Sequence, residues 1–184
     1  MKKILLIILF TTIYLLQANA QIQRTFFGCP FGSSEQKVKQ VMKSKGLILG
    51  DTSEGFLVMD ANDNLITFGG HKWECVSFKF YKNKLYQVTF MLTTSYSSSQ
   101  TIIEQYIKLR EQLDEKYSNM ERNSAFEDKS TFWYDDNTGL ICRYMYLDSN
   151  DNMVEKPTNR VNMYLWYYDK NLIGIKYNND QSEL

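Results

Sequence analysis

Three stretches of the chain recur roughly half a chain length apart, and this limits what it can fold into more than any other feature. FLVM at 56–59 lies over YMYL at 144–147, an offset of 144 − 56 = 88. DANDN at 60–64 recurs as DSNDN at 148–152, again 148 − 60 = 88. FYKNKL at 80–85 recurs as YYDKNL at 167–172, with 167 − 80 = 87. Matches in nearly one register point to a repeated structural unit. The helical segments do not keep the offset, so the second copy carries an insertion around 118–129.

Helices and strands alternate in the order such a unit needs. Ser33 and Gln36 fit a capping box, in which hydroxyl and amide satisfy the free N–H groups of a helix start. Val38, Val41 and Met42 then recur at helical spacing, and Gly46 is the natural stop because glycine takes the left-handed conformation readily. A longer helix starts near Thr101, where Thr101 and Glu104 repeat the capping pattern. Its apolar stripe is Ile102, Tyr106, Leu109, Leu113 and Tyr117. Segments 56–59, 65–68, 73–81 and 85–92 are rich in β-branched and aromatic residues between turn signals, as are 131–134, 140–147, 160–168 and 172–177. The expected fold is α+β: two tandem repeats, each one helix packed on a four-stranded antiparallel sheet. The first repeat covers 21–93 and the second 94–184, in one compact domain.

Side chains alternate between the two faces of a strand. Val76, Phe78 and Phe80 share one face with a polar opposite, and Met163, Leu165 and Tyr167 match them in the second copy. These sets are the expected core faces. Tyr164, Trp166 and Tyr168 fall opposite, and Tyr144 and Tyr146 share one face of a neighbouring strand. If those two faces coincide, Tyr144, Tyr146, Tyr164, Trp166 and Tyr168 form one aromatic patch, a candidate binding surface because Tyr and Trp bury large area and keep a polar group. The alternative is that the rings are buried, between packed sheets or under 118–129.

Residues 1–20 read as a secretory signal peptide: Lys2 and Lys3, an apolar run from Ile4, and a small-x-small end at Ala18-Asn19-Ala20. The apolar run is short of the about 20 residues a membrane span needs. Cleavage after Ala20 would leave 184 − 20 = 164 residues from Gln21, with no membrane span and a formal charge of 19 − 21 = −2. Such a chain carries no electrostatic footprint for nucleic acid. The location implied is secreted or periplasmic. Cys29, Cys75 and Cys142 are an odd set, so at least one is free or paired between chains.

The residue set offers little for catalysis. His71, the only histidine, sits in Gly69-Gly70-His71-Lys72 and reads as a solvated turn residue rather than a base. There is no Gly-x-Ser-x-Gly elbow, no phosphate loop and no cluster with zinc spacing. DANDN and DSNDN resemble the opening of a calcium loop, but the sixth position is Leu65 or Met153 instead of Gly, and the twelfth is His71 or Asn159 instead of an acid. They read as polar turns. Asp135 and Asp136 are adjacent acids with nothing to set a catalytic separation. No catalytic residue, metal site or cofactor is assigned.

Phe31-Gly32-Ser33-Ser34-Glu35, followed by Val38, Val41 and Gly46, resembles the helix opening of small secreted bacterial modules, including β-lactamase-inhibitor-protein-like domains. The resemblance implies two tandem helix-plus-four-strand repeats over most of 25–180, and a partner protein bound on a sheet surface. It carries over no binding residue. The expected function is a secreted or periplasmic, non-enzymatic binding or inhibitor-like module, with a protein or glycan partner in the envelope or outside the cell. The alternatives are a self-associating structural envelope protein and a hydrolase with an unrecognised acidic site.

Overall fold

The computed structural model describes residues 21–53, 55–60, 65–125 and 129–182. The expected signal peptide at 1–20, the expected polar turn at 61–64 and part of the expected insertion lie outside them. A hairpin of β1 (Thr25–Phe26) and β2 (Cys29–Pro30) leads into α1 (Glu35–Ser44). Then come β3 (Ile48–Ser53), β4 (Phe56–Asp60), the hairpin β5 (Ile66–Phe68) and β6 (His71–Trp73), β7 (Cys75–Tyr81) and β8 (Lys84–Thr93). After α2 (Ser99–Lys116) follow β9 (Glu121–Ala125), β10 (Ser130–Tyr134), β11 (Thr138–Leu147), β12 (Met153–Val154), β13 (Val161–Asp169) and α3 (Lys170–Ser182).

Both expected helices form, and each begins on a different serine or threonine from the one the sequence suggested. Ser34, not Ser33, caps α1, its Oγ accepting from Lys37 N at 3.4 Å. Ser98 caps α2 by accepting from Thr101 N at 3.1 Å, so that helix starts before Thr101. Gly46 ends the first helix at φ +79°. The buried stripes are Val38 and Met42 on α1, and Ile102, Tyr106, Leu109 and Leu113 on α2.

The protein is α+β with antiparallel sheets, but the main strands form one sheet rather than two. Their order is β3-β4-β7-β8-β13-β11-β10-β9, with β12 alongside the end of β11. The seam is β8 against β13, paired from Gln87↔Tyr168 to Thr93↔Asn162. Each half lays its strands down from the rim inward, and the last strands of the two halves meet. One face of the sheet is covered. Leu57, Phe78, Phe90, Leu165, Leu140 and Trp133, from six successive strands, all join one buried cluster with the helix stripes. Phe26 of the amino-terminal hairpin caps the seam, its ring 6.4 Å from Phe90 and 4.9 Å from Tyr167. Trp73 of β6 lies 5.7 Å from Phe90 on the same side.

The expected strand at 172–177 is helix. β13 already has neighbours on both edges, β8 and β11, so a returning strand has no edge to join. Asp169 also sets the turn. Its Oδ1 accepts from Leu172 N at 2.9 Å, the geometry of a helix N-cap. Its Oδ2 is paired to the Arg24 guanidinium, whose other nitrogen donates to Asn137 O and Thr138 Oγ1. The matching segment in the first half is a true hairpin. Lys82 and Asn83 take φ of +46° and +59°, as a two-residue type I′ turn requires. The 87-residue match between 80–85 and 167–172 is therefore not a structural equivalence.

Candidate binding face

The register of four strands fixes what lies on the uncovered face. Tyr164, Trp166 and Tyr168 alternate with the buried Met163, Leu165 and Tyr167 and are only half-buried. Trp166 pairs with Ile141, and Ile141 with Phe132, which gives one row across β13, β11 and β10. Tyr168 pairs with Gly139, and Gly139 with Tyr134, which gives the next. Phe132 and Tyr134 are stacked at 6.4 Å and 10°, and Tyr164 and Trp166 lie 5.4 Å apart at 30°. The face continues onto β8 as Gln87, Thr89 and Met91, the first two polar.

Tyr144 and Tyr146 do not belong to this surface. Tyr144 pairs with Met163 and Tyr146 with Val161, both on the covered face. The Tyr144 ring packs edge-on against Tyr106 of α2 at 4.9 Å, and Tyr146 is buried. The five aromatics named from the sequence therefore split three and two. Directly opposed residues share a face in an antiparallel pair, so register, which local alternation does not reveal, decides the split. Phe132 and Tyr134 take the two vacated places. The signal for them was present in Thr131-Phe132-Trp133-Tyr134, where the rings alternate. Only the pairing with β11 shows that Trp133 is the inward one.

Gly139 lets the two rows close up. A Cβ at this position would stand 2.0 Å from Tyr168 Cζ, so the Tyr168 ring lies flat over the glycine backbone. That brings its hydroxyl beside that of Tyr134. Burial pushes the Tyr168 pKa up to about 12, with the neighbouring Tyr134 adding to the shift. Lys170, at the start of α3, sits 5.9 Å over the Tyr134 ring and donates to Asp135 O at 2.9 Å. Further along α3, Asn179 Nδ2 donates to the Tyr81 hydroxyl at 2.8 Å, so this helix runs along the rim where β7 and β8 turn.

The groups considered for catalysis are tied into structure. His71 is not a solvated turn residue. It is 7% exposed on β6, with Nε2 2.7 Å from Gln112 Oε1 of α2. The correction has a simple cause: the Gly69-Gly70 turn precedes His71, and the strand after it lies against the helix. Asp135 Oδ1 accepts from Asn137 N and Thr138 N at 2.8 and 2.6 Å, and Oδ2 from Ile22 N at 2.9 Å. It borders a cleft of about 390 Å³ with Gln21, Arg24 and Glu121. Asp148 closes a turn by accepting from Asn150 N and Asn152 N, and these bonds, those from Asn152 foremost, hold its carboxyl below the usual range. All three cysteines are free and buried. Burial pushes the Cys75 thiol up to about 12 and raises Cys142 further, which keeps both as thiols. Among the described residues no group of three or more His, Cys, Asp or Glu is placed to hold a metal, and no helix is long and apolar enough to cross a membrane.

No protein-family model, curated protein or solved structure matches the chain.

Proposed function

We infer that this chain is a secreted or periplasmic, non-enzymatic binding module, and that it binds through the open face of its second half. One observation carries the reading. The second half of an antiparallel sheet covered on one side presents Phe132, Tyr134, Tyr164, Trp166 and Tyr168 on its other side, all of them half-buried. Antiparallel sheets commonly leave one face to water, but that face is then usually polar. Half-exposed Tyr and Trp are the residues most enriched where binding energy concentrates. The partner is a protein or a glycan of the envelope or the extracellular medium. The leader pattern at 1–20 supports the location. The shared rim-to-centre strand order supports an internal duplication in which β3-β4-β7-β8 correspond to β9-β10-β11-β13, a correspondence other than the one given by the 87- and 88-residue offsets.

The test uses the chain beginning at Gln21, immobilised and exposed to the envelope and medium fractions of the producing cell. Trp166→Ala is expected to keep the fold and to weaken capture of the partner by about 2 kcal/mol or more, as loss of a hot-spot residue does. Capture unchanged in folded Trp166→Ala would remove this face from the function.

A further inference from the structure

We propose that the occupant of the open aromatic face is an uncharged glycan chain. The proposal rests on the binding-module reading and adds the chemical class of the partner. Three features of the face select it.

The first is charge. Over the rows paired across β8, β13, β11 and β10, Arg143 is the one charged side chain the register places on this face, with Glu121 beyond Tyr134 and Lys79 beyond Gln87 at its two edges. Arg143 Nη2 is turned to Met153 Sδ at 2.7 Å. Lys170, at the rim, is turned to the Asp135 carbonyl. A charged partner would be desolvated here against rings and amides with little opposite charge to replace its water, which is costly. An uncharged partner loses nothing by this.

The second is shape. The ring-bearing positions lie in two rows, Trp166 with Phe132 and Tyr168 with Tyr134, whose backbones stand two strand spacings apart, about 9.6 Å. Along a strand the rings are closer, 6.4 Å apart for Phe132 and Tyr134 and 5.4 Å for Tyr164 and Trp166. Ile141 and Gly139 fill the positions between them, so the surface is shallow. Gly139 in particular keeps the Tyr168 ring flat against the sheet. Rings at the closer, along-strand spacing match two pyranose rings linked head to tail, whose C–H faces are apolar and whose rims carry hydroxyls. A protein partner gains most from anchors set in deep, desolvated pockets, and a level lattice of rings gives few.

The third is hydrogen bonding. The indole N–H of Trp166 has no acceptor among the described residues, unlike the N–H groups of Trp73 and Trp133, which donate to Phe68 O and Asp114 Oδ1. The Tyr164 hydroxyl accepts from Asn162 Nδ2 at 3.0 Å and keeps its own proton to give. Gln87 spends its amide N–H on Thr89 and keeps an acceptor oxygen. Donors and acceptors thus fringe the rings in mixed order, as a chain of hydroxyls requires.

The experiment is affinity electrophoresis of the folded chain from Gln21 in gels containing a soluble β-1,4-glucan, a β-1,3-glucan, a mannan or a glycol-chitin, with alginate and heparin as polyanions. Binding to at least one uncharged polymer is expected, insensitive to salt and weakened about thirtyfold by Trp166→Ala. Phe132→Ala, on a different strand, is expected to weaken it in the same direction. It keeps the test decisive if Trp166→Ala does not fold. No retardation by any of the four uncharged polymers, retardation by the polyanions alone, or full retardation in both variants would overturn the proposal. If the uncharged polymers fail while an envelope protein is captured in a Trp166-dependent way, the glycan falls and the binding-module reading stands. A concentration-dependent dimer lost in Trp166→Ala would instead give the face to a second copy of the chain.

Discussion

The two faces of the second half of the sheet are nearly equal in aromatic content and opposite in use. The covered face holds Trp133, Tyr144, Tyr146 and Tyr167 against α2 and the amino-terminal hairpin. The open face holds Phe132, Tyr134, Tyr164, Trp166 and Tyr168, all half-buried and packed in part against one another. Composition does not separate them. What does is which ring on β10 and β11 stands opposite which ring on β13, a property of strand pairing and not of any one strand.

Trp133 and Trp166 give the largest expected contrast. Trp133 is 0% exposed and its indole N–H donates to Asp114 Oδ1 at 3.1 Å. Trp133→Ala is expected to cost about 3–5 kcal/mol in urea unfolding, the range for deleting a fully buried large aromatic. Trp166→Ala, on the half-exposed face, is expected to cost about 1 kcal/mol or less, within the range for sites away from a packed core. Equal losses would mean that the open face is a second core, and the comparison would collapse.

A smaller effect is expected at Asp169, where the two halves part company. Asp169→Ala removes both the cap on α3 and the anion beside Arg24. Loss of a cap alone costs about 1 kcal/mol, and the partly buried guanidinium left unpaired adds to it, so a total of about 2 kcal/mol is expected. Loss of helical ellipticity confined to about one short helix would accompany it. If the variant instead kept α3 intact, β8 filling the free edge of β13 would be sufficient to direct the chain into the helix.

That site also shows what the sequence could and could not carry. Both helices, their buried stripes and most of the central strands were legible, because apolar spacing reports which side of an element is dry. The segment after Tyr168 was not. Asp169-Lys170-Asn171 is as good a turn as Lys82-Asn83-Lys84, and its fate depends on β8 arriving from the other half to occupy the edge of β13. β9 was missed for a related reason. Glu121-Arg122-Asn123-Ser124-Ala125 has no strand alternation, and it is extended because β10 offers it an edge. Of the candidate face, Tyr164, Trp166 and Tyr168 were readable from alternation along one strand. Phe132 and Tyr134 required the register between strands.

Gly139 sharpens the comparison at lower cost. Adding a methyl group there drives the far end of the Tyr168 ring away, and a ring at the end of a rotatable side chain can yield. Gly139→Ala is expected to lose about 1 kcal/mol, toward the low end for overpacking. It should also weaken partner binding, because the lifted ring breaks the flat row with Tyr134. Gly139→Ala with unchanged binding would show that the row at Tyr168 and Tyr134 lies outside the contact.

The smallest effect expected is a slope of stability with pH, and it comes from the same tyrosine. The folded Tyr168 pKa is raised to about 12, chiefly by burial, and an unfolded tyrosine titrates near 10. Between these values the folded state holds the phenolic proton while the unfolded state releases it. The folded state then binds more protons, so stability falls as pH rises. The contribution is fully present below about pH 10 and is lost as pH climbs through the folded value near 12. Tyr134 and Tyr167 are raised in the same direction, both mainly by burial, so the wild-type slope is a sum. Tyr168→Phe removes the larger part of the share that Tyr134 and Tyr168 contribute, together with the hydrogen bond that lowers the Tyr134 pKa. Urea midpoints measured at steps from pH 9 upward are expected to fall less steeply in Tyr168→Phe than in the wild type. The two curves should meet below pH 10 apart from a constant offset. Identical slopes would mean that the Tyr168 ring is more open to water than its place over Gly139 requires. The row it forms with Tyr134 would then be looser than the stacked pair of Phe132 and Tyr134 beside it.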